Sequence, residues 1–219
     1  MKLYGANQSP FVRKVRVVLE EKGIPYEVEP TVPEPKTPQL LALHPLGKIP
    51  ILRDGDVVIP DSSVICAYLE KTHPTPALYP DDPADFARAL FLEEYADARL
   101  AEGMGAIVFE RFVKPNLLRQ PTDAKRLQEL LAGARARWFG EPAAAGAQVT
   151  PILDYLESVL PGDRDSVLAR FSIADAALGA HLGWLAATGL ELDTARWPRT
   201  ARYYTALLAR PSFKTVLAQ

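Results

Sequence analysis

Residues 49–71, IPILRDGDVVIPDSSVICAYLEK, predict two strands, a turn and a helix in direct succession. The Asp-Gly-Asp sequence at 54–56 is typical of a hairpin turn, and the apolar runs beside it have the length of strands. The Asp-Ser-Ser sequence at 61–63 offers three side chains that can cap the following helix. This stretch therefore indicates a β-hairpin that leads into a helix.

The preceding sequence adds a β-α-β unit. Residues 1–5 and 24–29 are predicted strands, and 10–22 carry apolar residues at helical spacing. The connection has the length that parallel strands require. Prolines make 30–38 irregular, and a short helix is expected at 38–43. The order β-α-β-α-β-β-α indicates a small mixed sheet with helices packed on it.

The chain beyond residue 72 predicts an all-helical domain. Residues 73–85 contain four prolines and indicate an interdomain linker. We expect a first domain at 1–76, a linker at 77–84 and a second domain at 85–219. The predicted fold class is α/β followed by an all-α bundle. Helical spacing recurs in five stretches, at 83–114, 122–139, 148–160, 172–187 and 196–209.

Composition narrows the range of functions. The 219 residues include 25 basic and 27 acidic side chains, so no broad positive field favours nucleic acid as a partner. Because no signal-like segment or membrane-spanning apolar run occurs, a cytoplasmic protein without membrane association is expected.

A single cysteine, Cys66, excludes an internal disulfide, and three widely spaced histidines argue against a metal site.

Ser9-Pro10 has two interpretations, which are compatible. Serine is a favoured N-cap, and proline suits the first position of a helix. The N-terminus of a helix also presents unpaired N–H groups and partial positive charge, which stabilise an anion such as a thiolate. A serine hydroxyl there can donate a hydrogen bond to that thiolate and lower its pKa. The local sequence alone favours the cap.

Two further segments suit a peptide ligand. In GKIPIL, residues 47–52, a cis Ile49–Pro50 bond would turn the backbone of Ile49 outward. Lys48 would then lie at the rim, although a solvated surface lysine is the simpler interpretation. At the start of the next helix, the carboxylate of Asp61 and the adjacent hydroxyls suit the amino and carboxyl groups of an amino-acid terminus.

Three stretches in this order are similar to the cytosolic glutathione S-transferases, and the resemblance covers essentially the whole chain. They are SPFVRKVRVVLEEKGIPYE at 9–27, LLALHPLGKIPILRDGDVVIPDSSVICAYLEK at 40–71 and RFSIADAALG at 170–179. The resemblance implies a thioredoxin-like first domain and a helical domain that contributes the electrophile pocket. It also implies a homodimer that uses glutathione as co-substrate, with no tightly bound cofactor.

The resemblance also implies roles for individual residues. Ser9 would be catalytic, with its hydroxyl on the glutathione sulfur, as in the serine-type theta, zeta, tau and phi classes. Ile49, before a cis Pro50, would pair with the cysteinyl backbone, and Asp61 and Ser62 would hold the γ-glutamyl end. The other glutathione-binding assignments are Phe11, Lys36 and Lys48. Either of these two lysines would reach the glycyl carboxylate.

Some features depart from the family pattern or leave alternatives. Asp61 stands where many members have glutamate, so the contact with the ammonium would be weaker or indirect. Residues 9–12, Ser-Pro-Phe-Val, lack both thiols of a Cys-Pro-x-Cys turn, which disfavours dithiol redox chemistry and the cysteine-type transferase reaction. Tyr4 is an alternative source of the activating hydroxyl, ranked below Ser9.

The expected function is conjugation of ionised glutathione to a small hydrophobic electrophile. Isomerisation, peroxide reduction or dehalogenation at the same site are alternatives, although the Ser-Ser-Cys turn of the zeta-type isomerases is absent. A non-catalytic binding or regulatory protein is another. The electrophile cannot be deduced, because spacing in the predicted helix at 93–112 does not separate core from pocket. Its candidate pocket residues are Met104, Ile107, Val108 and Phe112.

Three remaining expectations concern packing. Arg13 and Lys14 are predicted to be solvated, as charged residues on a helix usually are. Cys66 is expected to be a small buried apolar side chain. Ser172 and Asp175 have the spacing of a capping box, with a purely structural role.

Overall fold

A computed structural model of the chain describes residues 1–101, 109, 113–119, 123–138, 145–188 and 192–218. The first half forms a four-stranded mixed sheet with the strand order β2-β1-β3-β4. The strands are β1 (Lys2–Gly5), β2 (Glu27–Pro30), β3 (Ile51–Asp54) and β4 (Val57–Pro60). β1 pairs in parallel with β2, and the other two pairs are antiparallel.

Three helices accompany the sheet, and the second half of the chain is helical where it is described. The first three are α1 (Pro10–Glu21), α2 (Pro38–Leu43) and α3 (Ser62–Thr72). The others are α4 (Pro83–Tyr95), α5 (Lys114–Leu118), α6 (Ala124–Trp138), α7 (Ala145–Val159), α8 (Ile173–Thr188), α9 (Pro198–Ala209) and α10 (Pro211–Leu217). The predicted fold class is confirmed, while the expected domain bounds stay predictions.

Two differences from the sequence prediction have local reasons. β2 begins later than expected, because the N–H of Ile24 still bonds to the carbonyl of Leu19 at the end of α1. α10 was not predicted, because Pro211 suggested a helix end, whereas proline also suits the first position of a new helix.

The long helix expected at 83–114 is not α-helical throughout. α4 continues after Tyr95 as a π-helical turn, Ala96–Leu100. The candidate pocket residues in that stretch, Met104, Ile107, Val108 and Phe112, lie outside the described residues.

α1 packs against helices from both halves of the chain, namely α3, α8 and α10. Its valines belong to the buried core, and Lys14 is also fully buried. The expectation that Lys14 is solvated is therefore wrong, because a helix that packs against three others leaves little of its surface in water.

One half of the predicted capping box is present at the start of α8, namely the bond from the Ser172 N–H to the Asp175 carboxylate, and this carboxylate has further partners. Fully buried Asp175 accepts hydrogen bonds from the backbone N–H of Ser172 at 2.8 Å and from its hydroxyl at 3.0 Å. It also accepts from the N–H of Val167 and the hydroxyl of Tyr203, both at 2.8 Å. One carboxylate thus joins α8, α9 and the segment before α8.

Within the described ranges, no helix combines the length and apolar character that crossing a membrane would require.

Candidate functional site

Several predicted site residues lie at one end of the sheet. Tyr4 at the end of β1 pairs with Ile51 at the start of β3, and Ile51 also pairs with Pro60 at the end of β4. The chain segments that extend beyond these strand ends therefore start side by side. They carry Ser9, Ile49, Pro50, Asp61 and Ser62.

Ser9 is the N-cap of α1. Its hydroxyl oxygen accepts a hydrogen bond from the N–H of Val12 at 3.4 Å, and its backbone N–H donates to the carbonyl of Ala6 at 2.9 Å. The hydroxyl acts as an acceptor in the cap, so its O–H can donate to a ligand at the same time. Both interpretations of Ser9 are thus compatible with one geometry.

The Ile49–Pro50 peptide bond is cis, as predicted. Pairing between β1 and β3 begins at Ile51, so the backbone of Ile49 lies outside the ladder. The N–H and C=O groups of Ile49 thus lie outside the strand pairing and suit pairing with an extended peptide.

Asp61 has an unusual backbone conformation, with φ 79° and ψ 133°. A non-glycine residue there costs about 1–3 kcal/mol, and such residues cluster at functional sites. Its Oδ1 accepts hydrogen bonds from the N–H groups of Ser63 at 2.9 Å and Val64 at 3.2 Å, which hold the residue as the cap of α3. The adjacent Ser62 is buried, whereas Asp61 is exposed to solvent.

The two candidate lysines lie on the loop around α2. Lys36 Nζ donates to a backbone carbonyl of the loop, and its side chain covers Gly47, whose φ is 58°. Burial lowers the pKa of His44, and the charge of exposed Lys48 lowers it further. The charge of Asp61 opposes this lowering, and Lys36 adds a smaller effect in the same direction as Lys48. Both ammonium groups are therefore near His44, and this loop carries positive charge.

Phe11 faces the helical half of the chain. Its ring meets His181 of α8 edge-on, with centroids 5.2 Å apart and an interplanar angle of 88°. A direct contact of Phe11 with glutathione stays a prediction.

Behind the start of α3 lies a buried charged cluster, made of Lys14, Ser63, Glu93, Asp97 and His181. Lys14 Nζ is 3.0 Å from Glu93 Oε1, 2.5 Å from Asp97 Oδ2 and 3.0 Å from the Ser63 hydroxyl. The Lys14 and Glu93 side chains are 0% and 2% exposed. Sequence analysis missed this cluster, although valines on both sides of Lys14 signalled a helix without a wide solvent face.

Burial and the neighbouring charges of the cluster shift the pKa of Lys14 in opposite directions. Burial alone would lower the pKa of Lys14, but the charges of Asp97 and Glu93 outweigh it and raise that pKa. Burial raises the pKa of Glu93, which Lys14 opposes. Cys66 is fully buried, so the expectation of a small buried side chain is confirmed, and burial raises the pKa of its thiol.

His181 closes the cluster on the side of α8. Its Nδ1 is 2.9 Å from the carbonyl oxygen of Ala177, so Nδ1 carries the proton. Nε2 is therefore an acceptor in the neutral ring and lies 3.7 Å from Asp97 Oδ1. Burial lowers the pKa of His181 more than Asp97 raises it, and the charge of Lys14 adds to the lowering.

The free energy of unfolding should therefore decrease as the pH falls below about 6.5. Because the His181 pKa is lowered in the folded state, the unfolded chain binds more protons in this range. We expect a slope of up to about 1.4 kcal/mol per pH unit from this group. His181→Asn keeps a hydrogen-bond donor for the Ala177 carbonyl and should make the free energy of unfolding less dependent on pH. Urea unfolding at several pH values measures this dependence.

His73→Asn removes a histidine outside the cluster and is the control. Part of the decrease in the free energy of unfolding at low pH should persist in His181→Asn, because burial also lowers the pKa of His44. An identical pH dependence in wild type and His181→Asn would contradict this assignment.

Within the described part of the chain, no group of three or more His, Cys, Asp or Glu side chains could hold a metal ion.

A mixed sheet in this strand order, a cis-proline before β3 and a helical second half define a thioredoxin-like domain with a helical partner domain. Such a site offers backbone, hydroxyl and carboxylate groups to a peptide.

Comparisons with known proteins agree with this class. Residues 3–77 match the family description "Glutathione S-transferase, N-terminal domain", and residues 128–206 match "Glutathione S-transferase, C-terminal domain". "Glutathione S-transferase 3" of Zea mays is 30% identical over 227 residues, covering 100% of this chain and 93% of the maize protein.

Two solved structures extend the comparison. A glutathione S-transferase from Methylobacterium radiotolerans in complex with glutathione sulfonate is 33% identical, with a TM-score of 0.74, and the match covers 99% of this chain and 93% of that one. One from Methylobacillus flagellatus with glutathione bound is 30% identical, with a TM-score of 0.75 and 98% coverage of both chains. The chain belongs to the glutathione S-transferase family.

Proposed function

We propose that this protein binds glutathione, ionises its thiol and conjugates the thiolate to a small hydrophobic electrophile. The observation that carries the proposal is the meeting of three segments at one sheet end. They supply a capping hydroxyl at Ser9, an unpaired backbone at Ile49 and a strained, exposed carboxylate at Asp61.

Each part of the tripeptide has a partner of suitable chemistry. The ammonium of the γ-glutamyl end suits the Asp61 carboxylate, and its carboxylate suits the N-terminus of α3 beside Ser62. The cysteinyl backbone suits Ile49. The glycyl carboxylate suits the positive loop of Lys36 and Lys48. This order along the ligand brings its sulfur towards Ser9.

The chemical step needs little besides a thiolate held next to the electrophile. A free thiol has a pKa of about 8.5, and lowering it by about two units stabilises the thiolate by about 2.7 kcal/mol. The thiol proton leaves to solvent. The thiolate electron pair then forms the carbon–sulfur bond while a leaving group departs or the electrophile takes up a proton.

A homodimer is part of the proposal. Val57 on β4, Val64 on α3 and Phe91 on α4 are each about half exposed, at 48%, 54% and 53%. A second copy that covers them would remove apolar surface from water.

Asp61→Asn should weaken glutathione binding about tenfold. The amide oxygen can still cap α3, whereas the charge that pairs with the ammonium is lost, and a hydrogen bond to a charged group contributes about 1.5–3 kcal/mol. Isothermal titration calorimetry with glutathione measures the change. A glutathione analogue without the amino group should bind wild type and Asp61→Asn with similar affinity.

Asp82→Asn is the matched control. Asp82 caps α4 through the same two kinds of hydrogen bond, from Ala84 and Asp85 N–H groups at 3.0 Å, but lies outside the site. Wild type that does not bind glutathione would refute the proposed function. Equal affinity of wild type and Asp61→Asn would refute only the role of Asp61.

A further inference from the structure

The peptide unit between Gln8 and Ser9 is held at both of its polar atoms. The N–H of Ser9 donates to the carbonyl of Ala6 at 2.9 Å. The carbonyl oxygen of Gln8 accepts a hydrogen bond from Trp184 Nε1 at 2.5 Å. Because a peptide unit is planar, these two bonds fix its orientation, and with it the direction in which the Ser9 side chain leaves the backbone.

We propose that Trp184 is a positioning residue for Ser9. Its indole N–H holds the Gln8 carbonyl and thereby aims the Ser9 hydroxyl at the glutathione sulfur. The inference rests on the proposed function, because it assigns Trp184 a part in lowering the pKa of the bound thiol.

Trp184 is built into the fold in a way that suits this role. It lies on α8, 176 residues from Gln8 in sequence, and its side chain is only 6% exposed. A buried indole N–H needs a partner, and the large ring has few ways to move once it is packed. The long-range packing of α8 against α1 therefore sets the position of a single backbone carbonyl.

A second contact ties the same loop to the helical half. Asn7 Nδ2 donates to the carbonyl of Val216 in α10 at 3.2 Å, and the Asn7 carbonyl accepts from Arg13 Nε at 2.7 Å. The loop before α1 is thus anchored to α8 and α10. The half of the chain that would supply the electrophile pocket also orients the group that activates the thiol.

Trp184→Phe removes the N–H donor and keeps an aromatic ring. We expect the pKa of bound glutathione to rise by about one unit, which lowers kcat/KM about tenfold below both pKa values. The difference should disappear at high pH, where the thiol is ionised in both proteins. The Kd for glutathione should change less than about threefold, because most of its binding energy comes from other contacts.

Trp197→Phe is the matched control. Trp197 is 8% exposed, and its Nε1 donates to Asp154 Oδ1 of α7 at 2.7 Å and not to the loop before α1. This variant should lose stability without a change in the pKa of the bound thiol. If Trp184→Phe does not fold, Asn7→Ala provides the same measurement on the second anchor of the loop.

The outcomes separate the inference from the proposed function. A wild-type complex whose thiol titrates like free glutathione overturns the proposed function. A lowered pKa in wild type that is unchanged in Trp184→Phe, or shifted equally in Trp197→Phe, overturns the positioning role alone. A rise in pKa confined to the loop variants, with nearly constant Kd, supports it.

Discussion

Ser9→Ala is expected to lower kcat/KM for conjugation, measured at saturating glutathione, by about 25-fold at pH 7 and by up to about 100-fold below both pKa values. The reason is that a rise in the pKa of the bound thiol from about 6.5 to about 8.5 lowers its ionised fraction at pH 7 from about 0.76 to about 0.03. The affinity for glutathione should remain close to that of wild type, since the sulfur contributes little to binding compared with the two charged ends of the ligand. Stopped-flow or steady-state conjugation assays across a pH range measure the change. The rate deficit should shrink as the pH approaches the pKa of the free thiol.

Loss of the cap is a separate effect of this substitution. Removing a serine N-cap costs about 0.5–2 kcal/mol of stability, which does not by itself change the pKa of a ligand. Ser9→Thr keeps both a capping oxygen and a donor, and should retain far more activity than Ser9→Ala. Undiminished conjugation by Ser9→Ala would remove Ser9 from its catalytic role.

Lys14→Met should lower the free energy of unfolding by about 3–5 kcal/mol, because removal of one partner leaves buried charges without compensation. The carboxylates of Glu93 and Asp97 lie 3.0 and 2.5 Å from Lys14 Nζ, and both would face an apolar side chain in the variant. Urea unfolding at neutral pH measures the loss.

Lys125→Met, at an exposed position of α6, controls for loss of a positive charge and should change stability by less than about 0.5 kcal/mol. Adding Glu93→Gln and Asp97→Asn to Lys14→Met should restore part of the loss, since the stranded charges are then removed. A decrease below about 1 kcal/mol for Lys14→Met would show that the cluster does not act as a buried ion pair.

Local signals in the sequence predicted most of the first half. Proline at the start of α1 and α2 and the turn at 54–56 each act over a few residues, so the corresponding elements appear where expected. The cis Ile49–Pro50 bond was anticipated from its position before a strand and from the family resemblance. The resemblance also grouped site segments that spacing alone does not bring together.

Features that depend on packing between distant segments were not predicted. The burial of Lys14 follows from the packing of α3 and α8 against α1. The valines around Lys14 indicate a helix without a wide solvent face, but they do not identify the distant segments that cover it. The hydrogen bond from the Trp184 indole N–H to the Gln8 carbonyl also joins distant segments, so it was not predicted either. α4 changes to a π-helical turn at Ala96–Leu100, where Asp97 enters the buried cluster, and helical spacing does not distinguish the two helix types.

The central claim is that this protein lowers the pKa of the glutathione thiol. Ultraviolet titration of the thiolate in the wild-type complex, with Ser9→Ala alongside, tests it most directly. We expect the bound thiol of wild type to titrate about two units below the free value of about 8.5, and that of Ser9→Ala to titrate near the free value. A bound thiol that titrates like free glutathione in the wild-type complex would contradict the account.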